Sequence, residues 1–192
     1  MSEKIRRIVT LAVAIVTLVS GVFVLYEKLQ ARMALKLPAT PDVFVSGSVG
    51  ENLFVGLNTS ENVYGWAENV DGVIRMEYPG AKDWGAWFIT AGESSREKDK
   101  RKYMDFSPYS NLLLEVKGKK GTALHVSIKD RDDINDGKEP KYLLKFTSDD
   151  WETHTIGLER FQKVNRQELN VVTNFVFGRT PMVLEVRKIQ YQ

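Results

Sequence analysis

Two periods of hydrophobicity divide the chain. From Ile8 to Tyr26 the sequence IVTLAVAIVTLVSGVFVLY runs for nineteen residues without a charge. A helix over this stretch spans roughly 28 Å at 1.5 Å per residue, about the thickness of a bilayer's hydrocarbon core. Beyond Val43 the pattern becomes an alternation with period two. Leu112, Leu114 and Val116 alternate with Leu113, Glu115 and Lys117, and Leu124, Val126 and Ile128 alternate with His125, Ser127 and Lys129. Val171, Thr173, Phe175 and Phe177 form one face of a third run, and Val183-Leu184-Glu185-Val186 opens a last one. These are half-buried strands. Turn-forming clusters separate them: residues 117–121 (KGKKG), Asn135-Asp136-Gly137 and residues 178–181 (GRTP). Earlier strands are expected near 43–48, 52–56, 63–67, 72–78 and 85–90, giving about eight to ten in all. The only helix-like piece among them is short, at Leu158 to Lys163. The pattern predicts an all-β fold, a two-sheet jelly-roll β-sandwich, preceded by one N-terminal transmembrane α-helix.

The flanks of the apolar run divide the chain further. Residues 1–7 are a short basic tail carrying Lys4, Arg6 and Arg7, residues 8–26 are the transmembrane helix, and Tyr26 sits where an interfacial aromatic belongs. Residues 27–42 form a stalk and a linker containing Pro38 and Pro41, which stop a helix because proline lacks the amide. Residues 43–192 are the β-sandwich domain. A cleaved signal peptide is the competing reading. Its apolar region runs about 7–15 residues and ends at an A-x-A-like site, whereas this run is longer and Ala31-Arg32-Met33-Ala34 has the wrong spacing. A signal-anchor is therefore expected. The basic tail comes first and Glu27 offsets the cations beyond the span, so the N-terminus is expected in the cytoplasm and the domain in the periplasm or outside the cell.

Charge narrows the choice of partners. The whole-chain pI near 8.7 looks basic, but residues 1–36 hold six basic residues against two acidic ones, leaving 21 basic and 23 acidic in the remainder. A domain without a basic surplus has no means to neutralise phosphates along a nucleic acid. The chain has no cysteine, which removes disulfides, thiolate metal sites and cysteine nucleophiles. Of the two histidines, His125 and His154, neither stands in an H-E-x-x-H motif, and G-x-S-x-G and phosphate-loop motifs are missing too. A non-catalytic domain is expected.

As an ordered set, several segments resemble a known family. Residues 83–89 (DWGAWFI) are followed by 105–110 (DFSPYS) leading into 112–118 (LLLEVKG), then 124–130 (LHVSIKD), 142–147 (YLLKFT), 150–161 (DWETHTIGLERF) and 184–191 (LEVRKIQY). This order resembles the galactose-binding-like jelly rolls, and most closely the carbohydrate-binding modules of the family 11 type, over about residues 60–192. The resemblance implies a β-sandwich whose concave face or rim loops bind a saccharide. Such modules usually ride on a glycoside hydrolase, and this chain shows no catalytic partner. The resemblance also makes Trp151 structural, and many such jelly rolls hold a structural calcium.

Candidate site residues follow from what a sugar needs: an aromatic face for the pyranose C–H groups, flanked by hydroxyl-binding polar groups. Trp66, Trp84, Trp87, Tyr64, Tyr103 and Tyr109 are the aromatic candidates. Over residues 84–89, Trp84, Ala86 and Phe88 share one face while Gly85, Trp87 and Ile89 share the other. Trp87 is expected to point outward, the plain alternative being that both tryptophans pack in the core. Glu115, Lys117, His125, Ser127 and Lys129 lie opposite their strands' apolar sets and would form one polar patch if the two strands share a sheet, or else a merely solvated sheet face. Asn174 is a further candidate. The ligand-binding set is thus Trp87, Trp84, Tyr109, Glu115, His125 and Lys129.

The loop from Asp130 to Glu139 supplies oxygens for a calcium ion, with Asp130, Asp132, Asp133 and Asp136 as candidate ligands. It departs from EF-hand spacing, because Ile134 falls on a ligand position when Gly137 takes the tight turn. The plain alternative is a solvated turn. The expected function is a membrane-anchored, carbohydrate-binding module recognising a glycan, with the bilayer engaged through residues 8–26. The alternative is a protein-interaction or structural module of a membrane-associated assembly.

Overall fold

The computed structural model describes residues 3–133 and 135–192, and within its helix the side chains of residue 10 and of residue 14 onward. The expectations that involve Met1, Ser2 and Ile134 lie outside the described residues. Helix α1 runs from Glu3 to Met33, through the predicted span and most of the stalk. Between Ala14 and Met33 it is long and apolar enough to cross a membrane by length and composition. Its apolar side chains are exposed, Leu18 at 70% and Phe23 at 60%. No core of its own buries them.

Residues 36–192 form two seven-stranded sheets. The first holds β1 (Lys36–Leu37), β4 (Leu53–Thr59), β7 (Gly85–Ala91), β8 (Tyr103–Met104), β10 (Ala123–Asp130), β11 (Lys141–Lys145) and β13 (Leu169–Phe177). The second holds β2 (Asp42–Val45), β3 (Ser48–Val49), β5 (Ala67–Val70), β6 (Val73–Tyr78), β9 (Asn111–Gly118), β12 (Glu152–Gly157) and β14 (Met182–Tyr191). The two-sheet β-sandwich behind one helix is the fold that alternation predicts. Residues 36 and 37, read as linker, already belong to it: β1 pairs in parallel with β8, Lys36 opposite Tyr103 and Leu37 opposite Met104. Two residues are too few to show a period, so only the partner strand reveals them. The expected helix at 158–163 is a single 3₁₀ turn at Leu158–Arg160.

Across the first sheet the order is β4–β7–β13–β10–β11, all antiparallel, with β8 beside the first residue of β13. In the second, β12–β9–β14 are neighbours, and the far side of β14 pairs first with β6 and then with β2. Between the sheets lies a core free of water-exposed side chains. Trp87 stacks on Phe175 at 5.8 Å, Trp66 meets Tyr78 and Phe177 edge-on at 5.3 and 5.4 Å, and Phe106 packs on Tyr191 at 4.2 Å. Leu112, Leu114, Val116, Leu124, Val126 and Ile128, the inner sets expected from alternation, are all buried. Among the described residues every core residue lies beyond α1, so residues 36–192 carry their own core.

One irregularity alters a predicted face. The register of β13 shifts between Val171 and Thr173, against both β7 and β10. The extra residue, Val172, turns into the core, and Val171 pairs with Thr90 and Lys129 on the outer side. Strict alternation places Val171 with Phe175 and Phe177; a bulge breaks the alternation and re-aims one side chain.

Candidate functional site

Face assignment in β7 settles which aromatics are available. Trp87 is 1% exposed, opposite Leu57 on β4 and Phe175 on β13. It points inward, which corrects the expectation that it reaches outward. Both faces of β7 are apolar, so the strand alone does not say which side is core. The neighbour β13 decides it, because Phe175 and Phe177 carry the large buried rings. The outer set is therefore Trp84, Ala86 and Phe88. Trp84 precedes β7, but its carbonyl accepts the Ser60 amide at 2.9 Å, so the ladder continues and the indole stays 41% exposed.

Register then aligns two rows across the outer face of the first sheet. The first reads Gly56, Phe88, Asn174, Ser127 and Lys141 from β4 to β11, and the second reads Asn58, Ala86, Val176, His125 and Leu143. Phe88 is half-buried because its ring lies over Gly56: a Cβ there would fall 2.4 Å from the ring. Only glycine leaves that space. Trp84 and Phe88, four residues apart on one strand, mark a platform about 13 Å long. Phe54, 44% exposed, flanks it on β4.

Polar groups adjoin the platform. The Asn174 side chain, 5% exposed, donates from Nδ2 to Ser127 Oγ at 3.0 Å, while its Oδ1 is buried without a hydrogen-bond donor. Leaving a buried acceptor unmet costs about 1–3 kcal/mol. Ser127 in turn faces Glu139 Oε1 at 3.5 Å. Glu139 lies between Lys129 and Lys141, at 3.5 and 3.6 Å, and Lys129 also reaches Asp133 at 3.7 Å. Beyond them Arg101 crosses from the β7–β8 loop and donates to the carbonyls of Arg131 and Asp133, at 3.0 and 2.6 Å. This charged network walls one end of the face. His125, exposed, stands toward the open end.

The remaining candidates are elsewhere. Glu115 and Lys117 lie on β9, in the second sheet, so the patch expected to join them to His125 and Lys129 does not form. Adjacent strands in sequence belong to different sheets here. Glu115 instead pairs with Arg187 at 2.7 Å, and Arg187 covers the Trp151 ring at 4.6 Å. Tyr109 packs at the rim of the core, 5.8 Å from Phe106 and 5.9 Å from Tyr191, away from the platform. Trp66 and Tyr103 are buried, and Tyr64 is exposed on a loop. Phe88, Phe54 and Asn58 join this face although none is among the expected ligand groups. The shared face of Trp84 and Phe88 was the available signal, but it needed the identity of the core side.

The carboxylates of the acidic loop accept backbone amides, most of them from the loop itself. Asp130 accepts the amides of Asp132 and Asn165 at 3.0 Å each, Asp133 accepts that of Asn135 at 2.6 Å, and Asp136 accepts that of Lys138 at 3.1 Å. The Lys138 ammonium holds the Asp136 carboxyl below its ordinary range. Among the described residues no three acidic or histidine side chains converge as a metal site requires. A cleft of about 460 Å³ separates this loop from residues 160–164, lined by both signs of charge, including Asp130, Asp136, Arg160 and Lys163.

No protein-family model matches the chain, and no curated protein matches it either. Solved structures do. A family 30 carbohydrate-binding module is 15% identical with a TM-score of 0.52, the match covering 79% of this chain and 96% of that one. PfGH50B is 12% identical with a TM-score of 0.53, over 72% of this chain but 22% of its own length. This chain thus spans about a fifth of that protein. A family 11 carbohydrate-binding module from Clostridium thermocellum, in complex with a beta-1,3-1,4-mixed-linked tetrasaccharide, is 15% identical with a TM-score of 0.47, covering 74% and 84%. At these identities the likeness is one of fold: residues 36–192 share the β-sandwich of carbohydrate-binding modules.

Proposed function

We propose that residues 36–192 are a non-catalytic saccharide-binding module whose ligand lies across the outer face of the first sheet. Phe88 and Trp84 carry the pyranose faces, and Asn58, Asn174 and His125 serve the hydroxyls. The observation that carries this reading is the exposed Trp84 and the half-buried Phe88 on one face, beside a buried amide oxygen that lacks a donor. A ligand hydroxyl entering beside Phe88 would supply that donor. The fold shared with a family 30 carbohydrate-binding module supports it. In this reading α1 anchors the module in a bilayer, with the N-terminus in the cytoplasm and the domain outside it. A C-terminal reporter active only in the cytosol would overturn that orientation.

The test is titration of residues 36–192 against a broad glycan panel. Saturable binding is expected, weakened at least tenfold in Phe88→Ala while the unfolding transition stays cooperative. A well-folded fragment that binds no glycan would favour docking of a protein partner instead. One observation speaks for that second reading: β4 is an edge strand on which Phe54 and Val55 are 44% and 46% exposed.

A further inference from the structure

The outer face of the first sheet is uneven in charge. Its β4–β7 half presents Gly56, Asn58, Trp84, Ala86 and Phe88, none of them charged. Its β10–β11 half presents cations. Leu143 lies opposite His125, and Lys141 and Lys145 stand two residues to either side of Leu143 on the same face, each about 7 Å along the strand. Leu143 is 44% exposed and forms the floor between them.

Part of the negative charge of this region is inside, while Asp132 and Asp136 on the adjoining loop are exposed. Glu139 has 3% of its side chain exposed and sits beneath Lys129 and Lys141, and the Asp133 side chain, 17% exposed, approaches Lys129. Lys145 is exposed and has no ion pair or side-chain hydrogen bond among the described residues. What faces solvent is the Lys145 ammonium and the His125 imidazole around an apolar floor, with Lys141 beside them tied to Glu139 and to the Gly137 carbonyl. The domain as a whole carries no basic surplus, 21 basic residues against 23 acidic ones after residue 36, so this corner runs against the average charge of its own surface. Such local complementarity steers and selects charged partners.

We infer that this corner receives an oxyanion on the bound saccharide, a uronate carboxylate or a sulfate ester, while the uncharged half receives the sugar rings. The inference rests on the saccharide-binding reading above. It names the ligand class as an acidic glycan.

Full-length chain in a neutral detergent is titrated with three polymers: a neutral mixed-linkage β-glucan, polygalacturonate and dextran sulfate. At least one anionic polymer is expected to bind tenfold or more tightly than the neutral one at low salt. That advantage shrinks as salt screens the exposed cations. Whichever anionic polymer is preferred tells carboxylate from sulfate. Lys145→Glu is expected to remove the preference and leave affinity for the neutral polymer unchanged, whereas Phe88→Ala weakens binding of all three. Equal affinity for neutral and anionic polymers, or an anionic preference that survives Lys145→Glu, overturns this inference alone. A folded chain that binds none of the three overturns it together with the saccharide-binding reading.

Discussion

The outer faces of the two sheets are made from similarly alternating strands and end as chemical opposites. On the second sheet the outward residues form a lattice of opposite charges. Arg75 pairs with Glu77 at 2.8 Å and with Glu185 at 3.1 Å, Lys117 meets Glu185 at 3.4 Å, and Arg187 meets Glu115 at 2.7 Å. Each exposed pair adds little stability, about 0–1 kcal/mol, but together they leave few groups seeking a partner. The first sheet's outer face bears the half-exposed rings of Trp84 and Phe54 beside the half-buried Phe88, a buried amide oxygen without a donor, and lysines paired with the buried Glu139. A face whose groups already satisfy one another gains little from a ligand. A face with unmet acceptors and uncovered rings gains hydrogen bonds and apolar contact, which is why we propose binding at the first sheet.

The comparison can be broken most severely by exchanging inner for outer tryptophan. Trp87→Ala is expected to destabilise residues 36–192 by about 3–5 kcal/mol in urea unfolding, because a fully buried indole leaves a cavity. Trp84→Ala is expected to cost well under half of that and to act on glycan binding instead. Similar losses of stability from both would mean that the outer face is part of the core.

Acid provides the next largest effect, and its largest single contribution comes from the edge of the second sheet. Glu152 is held down to about 2 from an ordinary 4.5, first by the Thr147 hydroxyl and further by the amides of Thr147 and Ser148 and by His154. A carboxyl depressed on folding stabilises fully above its unfolded value, and that contribution is lost as pH falls from about 4.5 towards about 2. Glu152→Gln is expected to cost about 2 kcal/mol at pH 7 and to flatten this acid limb. An unchanged limb in urea unfolding between pH 5 and 2 would sink the assignment.

Gly56→Val sharpens the comparison from the other direction. Its side chain must displace the Phe88 ring, so a tenfold loss of glycan affinity, about 1.4 kcal/mol, is expected with a smaller change in stability. Retained affinity in the titration would remove Phe88 from the platform. The smallest effect belongs to the paired face. Glu185→Ala, which breaks contacts to Arg75 and Lys117, should change stability by about 1 kcal/mol or less and leave glycan binding untouched. A binding defect in this variant would place the ligand on the wrong sheet here.

Local pattern carried much of the fold. Leu112 to Val116 and Leu124 to Ile128 read correctly because each strand is apolar on one side only, so the period names the buried face without knowledge of the partner. Residues 84–89 read correctly as alternation and wrongly as orientation, since Trp84, Ala86 and Phe88 are as apolar as Gly85, Trp87 and Ile89. The break at Val172 left no local mark. Neither did the separation of Glu115 from His125, because β9 and β10 follow one another in the chain yet diverge into different sheets.

By itself the sequence determined the apolar N-terminal helix, the β character of everything after it, and most inner strand faces. These depend on the spacing of side chains along one segment, which backbone geometry repeats regardless of neighbours. Only the tertiary structure decided that Trp87 lies inside and Phe88 outside, that Asn174 meets Ser127, and that Lys141 and Lys145 flank His125. Those are relations between segments far apart in the chain, set by register and by which sheet each strand joins, and no single segment encodes them.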